Sequence, residues 1–400
     1  MTARLAGIRV VAIEQAVAAP LCSRHLADLG ADVVKIERTD RGDFARDYDA
    51  FVAGESSHFV WLNRGKRSVA LDLKSPAGRA VLLALLRDAD VLLSNLAPGA
   101  VERIVPDAEL VELNPRLVRC RISGYGPDGP YAERKAFDLL VQGEAGVTAS
   151  TGTPGNPAKP GVSLADLGAG IYAATAILAA LLERDRTGLG SLVDIAMFDV
   201  MVEWMSPLLL AYREAGVEIE PAGTRHATIT PYGSFAARDG GALNIAVQND
   251  RQWLALCRVL GLDALAGDEA LATNAGRFRQ RDRVERAVGE AVRTRDADAL
   301  AAELDRAGIP WGRLNGIAEV ARHEQLAARR RWEPVELPSG GTASVLASPF
   351  ERTGSAGAPR RVPALGADTA AVLREAGFSG EEVADLAAAG VVRDGAAVLR

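Results

Sequence analysis

The chain has 400 residues, 48% of them hydrophobic and 24% charged, with a net charge of -6. These proportions belong to a globular protein, exclude a disordered chain and argue against a general nucleic-acid partner, while leaving room for a local basic pocket. Three well-separated cysteines, Cys22, Cys120 and Cys257, show no C-x-x-C spacing, so neither a disulfide framework nor a zinc site is suggested.

The chain begins Met-Thr-Ala-Arg without the layout of a signal peptide. Its longest apolar run, residues 167–182, is shorter than the roughly 20 residues a bilayer span needs. The cytoplasm is the expected compartment, with no membrane partner. Short β-branched runs then alternate with helical patterns: strands over 8–13, 31–36, 68–73, 90–95 and 117–122, and helices over 21–29 and 76–87. Ser75 followed by Pro76 reads as a helix cap and first helical residue. This order predicts an α/β fold whose parallel sheet is covered on both faces, with ligands at the loops that follow the strands.

Residues 167–182 predict about four turns of apolar helix, with Asp166 at its mouth. Asp is a good N-cap, satisfying orphan N–H groups and the positive end of the helix dipole. It is also a plausible nucleophile there, with the N–H groups of Leu167 and Gly168 available to an oxyanion and Gly168 and Gly170 leaving space for a ligand. From about Thr224 the texture changes to a hairpin through Asp239-Gly-Gly and then helices up to about Asp305, a smaller α+β domain. A second hairpin is expected over 332–349, a loop over 352–363, and two closing helices, the last opened by the capping-box pattern Ser379-Gly-Glu-Glu382. The resulting division is 1–215, 216–325 and 326–400.

A dinucleotide site fails at the first loop, because Glu14-Gln-Ala-Val-Ala-Ala-Pro20 contains no glycine; Glu37 then reads as a solvated strand end. The four histidines, His25, His58, His226 and His323, have no metal-binding spacing, and no G-x-S-x-G elbow is present. His25 is expected to face solvent or pack on its helix; His226 is a site candidate or a residue that orders its own loop. Arg38, Lys74, Arg103 and Lys135 recur at strand ends and loop edges. Singly they read as solvated charges; together on one sheet edge they can hold the phosphates of a nucleotide-like cofactor.

Several stretches, in this order along the chain, resemble the family III CoA-transferases, the group that includes formyl-CoA transferase and α-methylacyl-CoA racemase. They are Leu26-Ala-Asp-Leu-Gly-Ala-Asp-Val-Val-Lys-Ile-Glu-Arg38, Asn63-Arg-Gly-Lys-Arg-Ser-Val-Ala-Leu-Asp-Leu-Lys74, Asn114-Pro-Arg, Ile122-Ser-Gly-Tyr-Gly, Asp166-Leu-Gly-Ala-Gly, Arg186-Thr-Gly-Leu-Gly and Pro363-Ala-Leu-Gly-Ala-Asp-Thr. The resemblance implies a Rossmann-like large domain made from both ends of the chain, a small central domain, and an interlocked homodimer. It implies acyl-CoA and carboxylic acid substrates, no metal, and Asp166 as a nucleophile passing through an aspartyl anhydride and an aspartyl-CoA thioester.

Carried over position by position, the coenzyme A contacts fall on Val17, Arg38, Leu71, Lys74, Asn95, Leu96, Arg103, Ile104, Lys135 and Met197. The racemase branch places a His immediately before the Asp that corresponds to Asp138; here that residue is Phe137, which argues against racemisation. The glycine run of formyl-CoA transferase is replaced by Arg225-His-Ala-Thr-Ile-Thr-Pro, which puts oxalate in doubt as acceptor. Ile13-Glu-Gln-Ala-Val-Ala-Ala-Pro, Phe59-Val-Trp-Leu-Asn-Arg-Gly-Lys-Arg and Gln248-Asn-Asp-Arg-Gln-Trp resemble enzymes that exchange CoA between succinate and itaconate, mesaconate, malate or citramalate, within one acid or between two. A second carboxylate needs a positive or hydrogen-bonding partner, for which Arg46, Arg64, Arg225 and His226 are available. Asp138 and Phe137 are further substrate-site candidates.

Overall fold

The structure, a computed structural model, describes residues 4–350 and 360–395. Along the chain run β1 (Arg9–Ile13), α1 (Ala18–Asp28), β2 (Asp32–Glu37), α2 (Ser57–Asn63), β3 (Arg67–Leu71), α3 (Pro76–Arg87), β4 (Val91–Ser94), α4 (Ala100–Ile104), α5 (Asp107–Leu113), β5 (Val118–Ser123) and α6 (Asp138–Glu144). A helical turn, α7 (Val147–Ser150), and the hairpin of β6 (Gly152–Thr153) and β7 (Asn156–Pro157) precede α8 (Leu164–Thr187), β8 (Leu192–Ala196) and α9 (Met197–Trp204).

Two compact units result: Met1–Gly146 with Pro160–Ser206 and Gln325–Arg400, and Val147–Lys159 with Pro207–Glu324. The first is built on a seven-stranded sheet in which β3, β2, β1, β4, β5 and β8 lie side by side and parallel, with Val392–Arg393 antiparallel at the β3 edge. This is the parallel sheet that the alternating pattern predicts. β1, β3 and β4 are nearly continuous in buried residues, mostly Val, Ile, Leu and Ala, as strands covered on both faces are; β5 alternates buried Val118, Cys120 and Ile122 with half-buried Arg119 and Arg121. On one face Val11, Ile13, Val34, Ile36, Val69 and Leu71 meet Val81, Leu82, Leu85 and Leu86 of α3. Each fully buried Leu there is worth about 2 kcal/mol of transfer free energy. Ser75 caps α3 by accepting the Gly78 N–H at 3.0 Å, and Pro76 occupies the first helical position.

Sequence succession and spatial order diverge at β1, which has β2 on one side and β4 on the other. Such a reversal opens a crevice at the carboxyl ends of the strands, where sheets of this kind bind ligands.

α8 is longer than the apolar run: it starts at Leu164 and ends at Thr187, closed by Gly188 at φ 76°. By length and composition it is able to cross a membrane, with mean hydropathy 1.7, yet half of that window is buried inside the unit. Close approach explains its glycines. A Cβ at Gly170 would lie 2.6 Å from the Ala18 carbonyl oxygen of α1, and one at Gly168 would lie 2.7 Å from Val200 of α9. The space read as room for a ligand is filled by neighbouring helices.

In the second unit the antiparallel strands Tyr232–Ala236, Ala242–Ala246 and Trp311–Arg313 pack on Asp250–Leu260, Arg281–Arg293 and Ala297–Arg306 through Leu243, Ile245, Trp253, Leu256, Val284, Val288 and Leu300. The turn of its first hairpin is the expected Asp239-Gly-Gly. Returning to the first unit, Trp332–Glu336 and Thr342–Leu346 form the expected second hairpin. Ser379 and Glu382 exchange both capping-box bonds, at 3.1 and 2.7 Å. Of the loop expected over 352–363, residues up to 359 lie outside the described residues; Arg360–Arg361 pairs as a short parallel strand with Trp332–Glu336.

Candidate active site

The period of two in β2 puts Lys35 and Glu37 on the same sheet face, opposite Val34 and Ile36. Helices α1 and α2 cover that face, so both charges are buried. Lys35 Nζ reaches Asp43 at 2.8 Å and Glu14 at 3.4 Å, and Lys66 Nζ reaches Glu14 at 2.7 Å. Ser23 donates to the other Glu14 oxygen at 2.6 Å. Glu37 is not a solvated strand end: Arg46 holds it with two bonds of 2.8 and 2.9 Å, Ser68 donates at 2.6 Å and the Asp43 N–H at 3.0 Å. Three carboxylates thus balance three cations in a buried layer beneath the β1–α1 loop. Charges are tolerated there because each has a partner of opposite sign.

Burial by itself would raise the Glu37 carboxyl, but Arg46, Lys35 and Ser68 outweigh it and bring it down to about 2. The unfolded chain takes up that proton near the ordinary value of 4.5, whereas the folded one resists until about 2. Glu37 therefore contributes stability above pH 4.5 that is lost as pH falls towards 2, in total about 3 kcal/mol. Urea unfolding at pH 3 and at pH 5.5 is expected to show this loss, and Glu37→Gln should remove much of the difference. Equal pH dependence in both proteins would refute the assignment.

Asp166 is the third residue of α8 rather than its cap. Ser163 stands at the N-cap and makes no capping bond; Asp138, in the first turn of α6, accepts the Ala165 N–H at 3.0 Å and the Gln142 amide at 2.7 Å. The Leu167 N–H already donates within the helix, to Ser163 at 2.9 Å, so the oxyanion role expected for it is not available. What remains is a half-buried carboxylate at the positive end of a 24-residue helix, a place that favours the ionised form.

Leu167, Ala16 and Trp61 pack on the buried cluster of Val17, Leu21 and Leu62. Burial, then the charges of Asp43 and Asp166, push the Tyr48 hydroxyl up to about 12. Tyr48 and Trp61 flank His58 in edge-on contacts at 5.4 and 6.4 Å. Neither Tyr48 nor Trp61 is marked in the sequence by charge or spacing; only the fold brings Trp61 to Leu167 of α8 and Tyr48 to His58.

At the carboxyl ends of β1, β2, β3 and β4 lies a cleft of about 630 Å³ lined by Glu14, Gln15, Arg38, Gly42, Asp43, Leu71, Lys74, Leu96 and Ile104, among others. Five of the ten carried-over CoA positions meet there: Arg38, Leu71, Lys74, Leu96 and Ile104. Arg38 and Lys74 are exposed cations on its rim, as phosphate binding requires, with Arg38 paired to Asp40. Asn95 has a different occupation in this structure. Its amide donates to the Gln15 carbonyl at 2.8 Å and accepts the Gln15 N–H at 3.0 Å, tying β4 to the β1 loop. Val17 and Met197 are buried, while Arg103 and Lys135 are exposed and lie outside the lining of this cleft.

The cations considered for a second carboxylate are already engaged. Arg46 holds Glu37, Arg64 lies 3.5 Å from Asp28, and Arg225 bonds Glu285 at 2.7 Å. His226 stacks on Tyr232, and its Nδ1 accepts the Thr228 and Ile229 N–H groups at 3.1 and 3.2 Å, which orders its own loop. Arg225 and His226 belong to the second unit; Asp166 belongs to the first. Phe137 is 65% exposed at the start of α6. His25 is buried, edge-on to Phe350 at 4.9 Å, and burial next to Arg24 pushes its imidazole down to about 4. Among the described residues no cluster of His, Cys, Asp and Glu has the grouping to hold a metal ion.

The family model described as CoA-transferase family III matches residues 5–369. The succinate–glutarate CoA-transferase of Agrobacterium fabrum is 36% identical, over 86% of this chain and 88% of its own. The succinyl-CoA:mesaconate CoA-transferase of Haloarcula hispanica is 34% identical, over 92% and 96%. A solved CaiB/BaiF family protein from Brucella suis superposes with a TM-score of 0.81 at 33% identity, across 94% of this chain and 100% of that one. The chain belongs to the family III CoA-transferases, enzymes that act on acyl-CoA and carboxylic acid substrates.

Proposed function

We propose that this enzyme moves CoA from a small dicarboxylic acyl-CoA such as succinyl-CoA to a C4–C5 acid, with Asp166 as the covalent acyl carrier. The observation that carries the reading is the place of Asp166: half-buried in the first turn of α8, next in sequence to Leu167, which packs on an apolar wall with Ala16 and Trp61. The Asp166 carboxylate attacks the thioester carbonyl carbon, the C–S bond breaks, and CoA leaves as thiolate. The thiolate returns to the aspartyl carbonyl of the resulting anhydride, releasing the donor acid and leaving an aspartyl-CoA thioester. The acceptor carboxylate attacks that thioester, and the thiolate, expelled again, takes the acceptor acyl group and frees Asp166. Each step exchanges one acyl bond for another, so the activation is retained as long as water is kept out.

Glutarate and mesaconate in the relatives' names support a dicarboxylic acceptor. Incubation with succinyl-CoA and a panel of itaconate, mesaconate, malate, citramalate, glutarate and oxalate, read by mass spectrometry, is expected to yield CoA esters of the C4–C5 acids. Ester formation with none of them would reject the substrate class. A racemase requires a second acid/base group across the α-carbon, and Phe137 supplies none. Deuterium uptake at the α-carbon of a 2-methylacyl-CoA without acid exchange would reverse that conclusion.

Ile171, Tyr172 and Leu182 leave an apolar stripe of α8 exposed in the single chain, and a second copy of the chain is the proposed cover. Light scattering that returned the mass of one chain would remove the dimer.

A further inference from the structure

The bend between β1 and α1 separates the CoA cleft from the surroundings of Asp166. Glu14 and Gln15 line the cleft, whereas Ala16 and Val17 pack with Trp61 and Leu167. Ala16 sits at φ 64°, a left-handed conformation that a residue with a Cβ adopts only when held. Two side chains hold it. Asn95 binds both backbone groups of Gln15, and Asp43 Oδ1 accepts the Ala16 N–H at 3.0 Å.

Asp43 is itself buried and fully engaged. The same Oδ1 accepts the Ala45 N–H at 2.9 Å, opening the 3-10 turn Phe44–Asp47 that delivers Tyr48, while Oδ2 meets Lys35 at 2.8 Å. One carboxylate thus connects the β1–α1 bend, the approach to Tyr48 and the buried charge layer.

We propose that Asp43 is a positioning residue for CoA transfer, holding Ala16 in its left-handed bend and thereby setting the wall shared by the CoA cleft and the Asp166 neighbourhood. The proposal rests on the chain being a CoA-transferase and holds whichever group carries the acyl moiety. The competing account is that Asp43 only neutralises Lys35.

Steady-state kinetics and urea unfolding of Asp43→Ala, Asp43→Asn, Ala16→Val and Asp43→Ala/Ala16→Gly separate the two. Asp43→Ala is expected to lower kcat roughly 10- to 100-fold, the scale of a displacement of about 1 Å near the reacting groups. Asp43→Asn keeps an acceptor oxygen for both backbone bonds and should lose no more than about threefold in kcat, although its urea midpoint falls because Lys35 loses the nearer of its two carboxylates. Glycine enters the left-handed region without restraint, so the double variant should regain at least about fivefold in kcat over Asp43→Ala while recovering only a minor part of the urea midpoint, since the Lys35 ion pair stays broken. Should Asp43→Ala fail to fold, Ala16→Val disturbs the bend with the ion pair intact, and a fall in its kcat carries the same information. A double variant as slow as Asp43→Ala, a kcat that follows the urea midpoint across the series, or an unaltered kcat in Ala16→Val would overturn the proposal.

Discussion

Asp166→Ala and Asp166→Asn are expected to reduce CoA transfer by roughly three orders of magnitude or more, the scale seen when a covalent nucleophile is removed. Binding of CoA should stay within about threefold, because the cleft that gathers Arg38 and Lys74 does not include Asp166. The fold should survive as well. Asp166 is not the cap of α8, and losing a charge in a first turn costs about 1 kcal/mol or less. Wild-type enzyme mixed with succinyl-CoA and stopped in acid should carry added mass on the peptide containing Asp166, and the Asn variant should carry none. Near-normal turnover by either variant would end the role assigned to Asp166, leaving the family membership and the Asp43 proposal intact.

The second large effect concerns stability. Glu14→Leu removes the carboxylate that lies 2.7 Å from Lys66 and 3.4 Å from Lys35, leaving the buried Lys66 with only the neutral Pro20 carbonyl and Asn63 amide oxygens. Breaking a buried pair from one side costs about 3–5 kcal/mol, because the surviving charge keeps its desolvation penalty and loses its compensation. Lys35 is better protected, since Asp43 still holds it at 2.8 Å. The double variant Glu14→Leu/Lys66→Met removes both partners and should recover part of the loss. Urea midpoints of the wild type, both single variants and the double variant form a closed cycle that measures the coupling. A coupling near zero would mean that water enters the layer and screens it.

Much of the fold was legible in the residues. β-branched runs alternating with helical patterns predicted a covered parallel sheet, and Ser75-Pro76 and Ser379-Gly-Glu-Glu382 marked helix starts that the structure contains. These signals are local: a strand period or a cap is decided by side chains within a few residues of one another. Asp166 stood out for a similar reason, as a charge where an apolar helix begins. Its setting was not legible. The helix starts two residues earlier, Asp138 supplies the capping bond from 27 positions away, and the glycines admit helices rather than substrate.

Glu37 shows the limit most clearly. A strand-end glutamate in the sequence carries no sign of being buried, because burial is decided by α1 and α2 lying over it and by Arg46 and Ser68 arriving from other segments. The same holds for Trp61, which reaches Leu167 of α8 only through the fold.

By itself, the sequence determined the elements, the parallel sheet and the family, since these rest on periodicity, capping and ordered short stretches. The tertiary structure alone decided which charges are buried and paired, which backbone bend is held against its preference, and which of the expected CoA contacts share one cleft. Those are sums over residues distant in sequence, and a low-dielectric interior makes them large enough to govern both stability and the site.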